Sequence, residues 1–387
     1  MGKHSKIASE PIFDNRLEDS FSENIDGSSF VLSSDSGIIY NIHCYVVSNI
    51  IDNCKHLVNT NLDDRYKQFK YDYDQTKDIM IYGNISFIWN NNIYNCQFNP
   101  SSLSIEFESN VDISSFKEHV FKEIKNKNPY KNKLLYYINS EEIQIKSPIN
   151  VDFDNVILQD QIKNDIYDNT IYSLDALKTG NGIILHGIPG SGKSLICSAI
   201  ANNAVKKGYS VIYLTNLVSF EYLQTFVDYC VGDCIIIFED IDSFAISREK
   251  NDYAPIAEFL QFLNGIAESK TNIVFIATTN YLEKLDDAIA NRPVRFNRKY
   301  KFDYPNPAEI DEMIKLYFDN NICQKYSKYC HGINFTGAHI KEIKRSADLL
   351  ISKSEKKLTY DDVFMESLNI VKENFSITLN ASFGFNN

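Results

Sequence analysis

The chain has 387 residues, 44% of them hydrophobic and 23% charged, enough for two domains with packed cores. A net charge of −12 weighs against a broad basic face that grips nucleic-acid backbones, though not against a local basic channel. No apolar run nears the length of a membrane span, and the start, Met1-Gly-Lys-His-Ser-Lys6, fits neither a secretory leader nor a myristoylation pattern, so a soluble, cytoplasmic chain without a membrane span is expected.

In chain order, residues 1–29 mix Ser, Asp, Asn and Glu with few apolar positions and read as a poorly ordered arm. Residues 30–147 read as a small α+β domain. From Phe30 to about Glu108 the pattern is β-like, with Ile79–Tyr82, Ile85–Trp89 and Leu103–Phe107 separated by turns such as Asn90-Asn-Asn92. A helix is predicted over 113–125 and a strand over 134–138. Pro148 and its polar neighbours mark a join near Ser147. Beyond it, 182–186, 210–214, 234–238 and 273–277 are near-continuous apolar strands. They alternate with helical stretches such as 195–207 and 255–268, which predicts an α/β core with a doubly wound parallel sheet over 148–304. From 305 to 387 the pattern is only helical, at 308–319, 337–352 and 360–373, and reads as a lid and tail. The eight cysteines are scattered. Only Cys230 and Cys234 are close, with no second pair at metal-ligand spacing, so they read as free thiols in a reducing compartment.

Gly187, Ile188, Pro189, Gly190, Ser191, Gly192, Lys193 and Ser194 complete the pattern G-x-x-x-x-G-K-[ST] between a predicted strand and a predicted helix, which Leu195 continues. Glycines let backbone N–H groups turn toward phosphate, and the helix N-terminus adds positive potential. Lys193 can reach the β- and γ-phosphates, and the Ser194 hydroxyl can hold Mg²⁺. A second element, Cys234-Ile-Ile-Ile-Phe-Glu-Asp-Ile-Asp242, ends a buried strand in adjacent acids at a sheet's C-terminal edge. One acid would organise Mg²⁺, and the other would orient and deprotonate water. A third strand ends at Asn280, which can hold that water or contact the γ-phosphate; the plainer alternative is a turn or helix cap. Finally Arg292, Arg295 and Arg298 cluster around Pro293, either as surface arginines or as fingers that reach a neighbouring subunit's γ-phosphate.

Together these motifs resemble the AAA-type P-loop ATPases over roughly residues 150–370. By position the resemblance gives Glu239 the magnesium role with Ser194, and Asp240 the catalytic base. The family's usual order of the two acids is Asp-Glu, so the reversal leaves that division open. It also makes Asn280 the sensor, Arg292 and Arg295 the fingers, Gly337 and Ala338 the lid residues near the nucleotide, and Asn155 and Val156 the segment at adenine. Within the family the chain is most similar to the mitochondrial Rieske-protein translocase branch, without its transmembrane segment. The resemblance implies Mg²⁺-dependent ATP hydrolysis by a homo-oligomeric ring, a hexamer or heptamer, that remodels or translocates a protein client. Alternatives are a nucleic-acid motor or clamp-loader-like ATPase, lowered by the acidic balance, and a nucleotide-gated assembly scaffold. Phe220 and Tyr222 stand where a substrate-gripping pore loop is expected, and read more readily as helix core.

Overall fold

A computed structural model describes residues 21–23, 29–34, 36–57, 65–100, 102–107, 113–176, 181–214, 220–242, 258–259, 261–263, 271–285 and 296–382. The chain forms two compact units. One takes residues 1–147, 208–234 and 268–272, and the other takes 148–207, 235–267 and 273–387.

The first unit holds an antiparallel sheet. Its strands run in the order Phe21–Glu23, Ser29–Ser33, Ser102–Phe107, Asn92–Asn99, Thr76–Trp89 and Lys55–Leu57, and Arg65–Lys70 also pairs with Thr76–Trp89. The predicted arm thus contributes its own strand at Phe21–Glu23, paired with Ser29–Ser33. The hairpin at Asn90-Asn91 has φ of 47° and 66°, the left-handed geometry that asparagine tolerates and a two-residue hairpin turn requires. One face is aromatic: Tyr94 lies 4.5 Å from Phe116 and 5.6 Å from Phe87 between ring centroids. Phe116 comes from the helix Ser114–Lys127, close to its predicted place. The helix Gly37–Asp52 falls inside the stretch expected to be β-like and corrects that expectation. The same unit holds Leu134–Tyr137, parallel to Ser210–Leu214 and antiparallel to Ile143–Lys146. Phe220, 3% exposed, sits in the helix Phe220–Phe226 as core; residues 215–219 lie outside the described residues.

In the second unit, the strands Arg298–Phe302, Asn181–Gly187, Ile273–Thr279 and Cys234–Phe238 are neighbours in that order, and Asn181–Gly187 is parallel to both strands beside it. Every residue of 234–238 and 273–279 is buried, as near-continuous apolar runs require. This is the α/β P-loop fold expected for the core. The helix Lys193–Lys206 follows the first strand. A four-helix lid follows, made of Pro307–Tyr317, Asn320–Tyr326, Gly337–Lys353 and Tyr360–Ser382, closed on Ile310, Ile314, Phe335, Ile340, Phe364 and Leu368. Asn306 caps its first helix reciprocally with Glu309, and Pro307 opens it, a start written plainly in the sequence. Of the helix expected over 255–268, only 258–259 and 261–263 are described. Among the described residues no helix is long and apolar enough to cross a membrane.

Candidate functional site

The predicted phosphate loop joins the strand Asn181–Gly187 to the helix Lys193–Lys206. Gly187 has φ +138°, and a Cβ there would lie 1.9 Å from the Phe302 carbonyl oxygen, so only glycine lets this strand end pass its neighbour. The next residue, Ile188, donates its N–H to that same carbonyl at 3.2 Å. Gly190, φ +73°, is exposed on the loop, and a Cβ there would come within 2.9 Å of both the Ala338 Cβ and the Thr336 Oγ1. The lid therefore meets the loop through Thr336 and Ala338, the latter one of the two lid residues expected near the nucleotide. Its neighbour Gly337 opens the helix Gly337–Lys353, with Thr336 and His339 as a reciprocal cap. Pro189 is exposed, and Ser191 donates its hydroxyl to the Ile188 carbonyl at 2.7 Å, which closes the loop upon itself. Gly192 is left-handed at φ +104° and its carbonyl accepts the Ile196 N–H at 3.0 Å, the first hydrogen bond of the helix.

Lys193 opens that helix and is 7% exposed. Its Nζ donates to the Gly187 carbonyl at 2.8 Å, the Ile188 carbonyl at 2.9 Å and the Asn280 Oδ1 at 2.8 Å. Burial lowers the amine below the ordinary lysine range, and Asp240 and Asp242 pull it partway back. Ser194 and Leu195 are exposed in the first helical turn, Leu195 by 43%, an apolar side chain presented beside the loop.

The acids come from the end of the strand Cys234–Phe238. Glu239 is half-buried at the strand end, in the neighbourhood of Ser194. Burial raises Glu239 above the ordinary carboxylate range; Ser194 works against that shift and the charge of Asp240 adds to it. Its Oε1 is buried with no hydrogen-bond partner. An orphaned carboxylate oxygen beside a serine hydroxyl is a hard-oxygen donor set that fits Mg²⁺. Asp240 is exposed and adopts φ +52°. Its N–H donates to the Thr278 Oγ1 at 2.9 Å, and its Oδ1 lies 3.5 Å from the Asn280 Nδ2. Asp242 is buried and accepts the Asn280 N–H at 3.4 Å. The structure thus brings Lys193, Ser194, Glu239, Asp240 and Asn280 together. It adds Thr278 and Asp242, whose contacts a strand-end pattern does not announce.

Asn155 ends the short turn Phe153–Asn155, which Val156 follows, and the Asn155 Oδ1 accepts the Asp152 N–H at 3.1 Å. Asp152 in turn accepts from Asn202 at 2.9 Å and Lys206 at 2.8 Å, which ties this segment to the later turns of the P-loop helix. Val156 is 4% exposed and its carbonyl accepts the Lys163 Nζ at 3.1 Å, so its side chain serves the core. Arg292 and Arg295 lie outside the described residues.

Residues 183–304 match the ATPase family associated with various cellular activities, AAA. The chain is similar to the ATP-dependent zinc metalloprotease FtsH of Mycoplasma genitalium, 29% identical over 236 residues that cover 52% of this chain and 32% of that protein. It is also similar to the ATPase family AAA domain-containing protein 2 of Mus musculus, 28% identical over 222 residues that cover 52% of this chain and 21% of that protein. Such matches span between about a fifth and a third of those relatives' length. A crystal structure of the FIGL-1 AAA domain in complex with ADP aligns with TM-score 0.46 and 18% identity, over 62% of this chain and 94% of that one. The family match and these sequence relatives bear out the resemblance to the AAA ATPases, while the particular likeness to the Rieske-protein translocase branch is not shown by them.

Proposed function

We propose, from the match of residues 183–304 to the AAA family and from the geometry of the site, that the chain hydrolyses ATP with Mg²⁺, as a homo-oligomer, to remodel or translocate a protein client. The observation that carries the hydrolytic part is the pairing of a cradled amine with an orphaned acid: Lys193 held at the loop and Asn280, and the partnerless Glu239 Oε1 beside Ser194. A protein client is supported by the name of FtsH, an ATP-dependent protease, among the similar proteins.

Gly187 to Gly192 offer backbone N–H groups to the β- and γ-phosphates, and Lys193 leaves its carbonyl partners to meet the γ-phosphate. Leu195 offers an apolar surface beside the loop, with Asn155 and Val156 at the adenine and Gly337 and Ala338 closing the lid side. Ser194 and Glu239 would hold Mg²⁺, which when bound supplies charge neutralisation at the phosphates. Asp240, exposed and beside the Asn280 amide, accepts the proton of the attacking water, while Asn280 orients that water. Arg292 and Arg295 would complete the site of a neighbouring copy, so activity should depend on assembly.

Purified protein should show Mg²⁺-dependent ATPase activity, with a rate per subunit that rises with protein concentration and then saturates. A rate per subunit independent of concentration down to the monomeric range would remove the trans arginines, and an absent rate at every concentration would remove the ATPase. An Asp240→Asn variant, which retains nucleotide without turning it over, should hold the client in a pull-down.

A further inference from the structure

Among the described residues, four non-glycine positions have positive φ: Asn90, Asn91, Asn132 and Asp240. The three asparagines belong to a residue type that enters this region readily. Asp240, of a type that enters this region on occasion, is the one of the four that stands where the buried strand Cys234–Phe238 delivers its acids. Left-handed backbone at an aspartate is unfavourable unless neighbours hold it. Here the end of the neighbouring strand Ile273–Thr279 does so.

Thr278 is 1% exposed. Its hydroxyl oxygen accepts the Asp240 N–H at 2.9 Å, and its carbonyl accepts the Ile241 N–H at 2.9 Å. Two residues on, Asn280 donates its N–H to the Asp242 Oδ1 at 3.4 Å. The turn 240–242 is thus gripped along its length, and the grip on Asp240 is the only one of the three that a side-chain hydroxyl supplies.

The acid order gives this grip a purpose. Glu239, with the longer side chain, stands near Ser194, and Asp240 is left to act with one methylene fewer. The placement of the Asp240 carboxylate then depends more on the turn of its backbone, which Thr278 holds. We propose that the Thr278 hydroxyl is a positioning group for the hydrolytic carboxylate: it fixes the left-handed turn at Asp240 and so makes the Glu-Asp order workable. This rests on the ATPase reading above and adds to it a residue that touches neither nucleotide nor water.

The test compares Thr278→Val, which keeps the buried shape and removes the acceptor, with Thr278→Ser, which restores it. Readouts are kcat and KM for MgATP, nucleotide affinity, and Tm. Thr278→Val should lower kcat by about 10- to 100-fold, the usual scale for a residue that orients a catalytic group. KM and nucleotide affinity should stay within about twofold, because Lys193 and the loop are untouched. Thr278→Ser should keep most of the wild-type rate, and Thr278→Val placed on Asp240→Asn should cost no further rate. An unchanged kcat in Thr278→Val overturns the proposal, and so does a fall in kcat matched by an equal loss of nucleotide affinity. Should Thr278→Val fail to fold, Thr278→Ala, which adds no branched carbon, takes the same test. Wild-type protein without ATPase activity would remove both readings. Active wild type, inactive Asp240→Asn and fully active Thr278→Val would remove the positioning role alone.

Discussion

The Lys193 amine and the Glu239 carboxylate belong to one site and are prepared for it in opposite ways. The amine has three oxygens around it, Gly187 O, Ile188 O and Asn280 Oδ1, all within 2.9 Å. The carboxylate lies in the neighbourhood of Ser194, and its buried Oε1 has no hydrogen-bond partner. A buried cation with its donors satisfied is settled, whereas burial raises the pKa of a half-buried acid that has an unmatched oxygen. The lysine end is thus tied to the loop by its own contacts, and the acid end is the less satisfied of the two.

Three substitutions probe that contrast. The largest effect should come from Lys193→Ala. Loss of the phosphate contact should cut kcat/KM by about 10³-fold, roughly 4 kcal/mol, in a steady-state ATPase assay. Nucleotide-free protein should also melt lower, because two loop carbonyls and Asn280 lose their partner. A variant as stable as wild type would show that the resting contacts of the amine carry no weight. Gly187→Ala tests whether the shape of the loop is set by backbone alone: its Cβ would lie 1.9 Å from a carbonyl oxygen at φ +138°. A loss of about 3 kcal/mol is expected, visible as a Tm roughly 6–12 °C lower. An unperturbed Tm would mean the strand end yields easily.

The smallest effect should have the opposite sign. Glu239→Gln should abolish Mg²⁺-supported turnover yet raise the Tm of nucleotide-free protein by on the order of 1–2 °C at neutral pH. The sign follows from linkage. Folding raises the Glu239 pKa above its unfolded value of about 4.3, so the wild-type stability is full below that pH. It is lost as pH climbs through the folded value. The Tm advantage of Glu239→Gln should therefore vanish near pH 4 and reverse when Mg²⁺ and nucleotide are present. A lower Tm for the variant at neutral pH, without ligand, would erase the proposed asymmetry between the two ends.

The chemistry of the second unit was legible because its elements carry their reasons locally. Glycines with positive φ fit G-x-x-x-x-G-K-[ST], buried parallel strands read as apolar runs, and Asn306-Pro307 with Glu309 announces the lid. What escaped was set by neighbours distant in sequence. The helix Gly37–Asp52 buries most of its residues, from Ile38 and Ile39 to Ile50 and Ile51, and leaves one narrow face at Asn41, Tyr45, Asn49 and Asp52. So few polar positions mark that face that its Ile and Val favour strand on propensity alone. Ser210–Leu214 has the apolar run of any buried strand, and nothing in that run says that it pairs with Leu134–Tyr137. The hydroxyl of Thr278 reads as an ordinary strand end until the N–H of Asp240, 38 residues away, is placed against it.

That pairing of Ser210–Leu214 has a bearing on how the gene can be cut and shuffled. Within the N-terminal unit, Val211 donates its N–H to the Lys133 carbonyl at 2.9 Å, and the ring of Phe226 lies 5.9 Å from that of Tyr130. A fragment ending at residue 147 would lose a strand partner and an aromatic wall that the chain supplies only after it has passed through the phosphate loop. The exposed edge left at Leu134–Tyr137 would be a template for pairing with other chains. Recombination at that seam would therefore hand on an aggregation-prone half, so residues 1–147 and the stretch 208–234 must be inherited together.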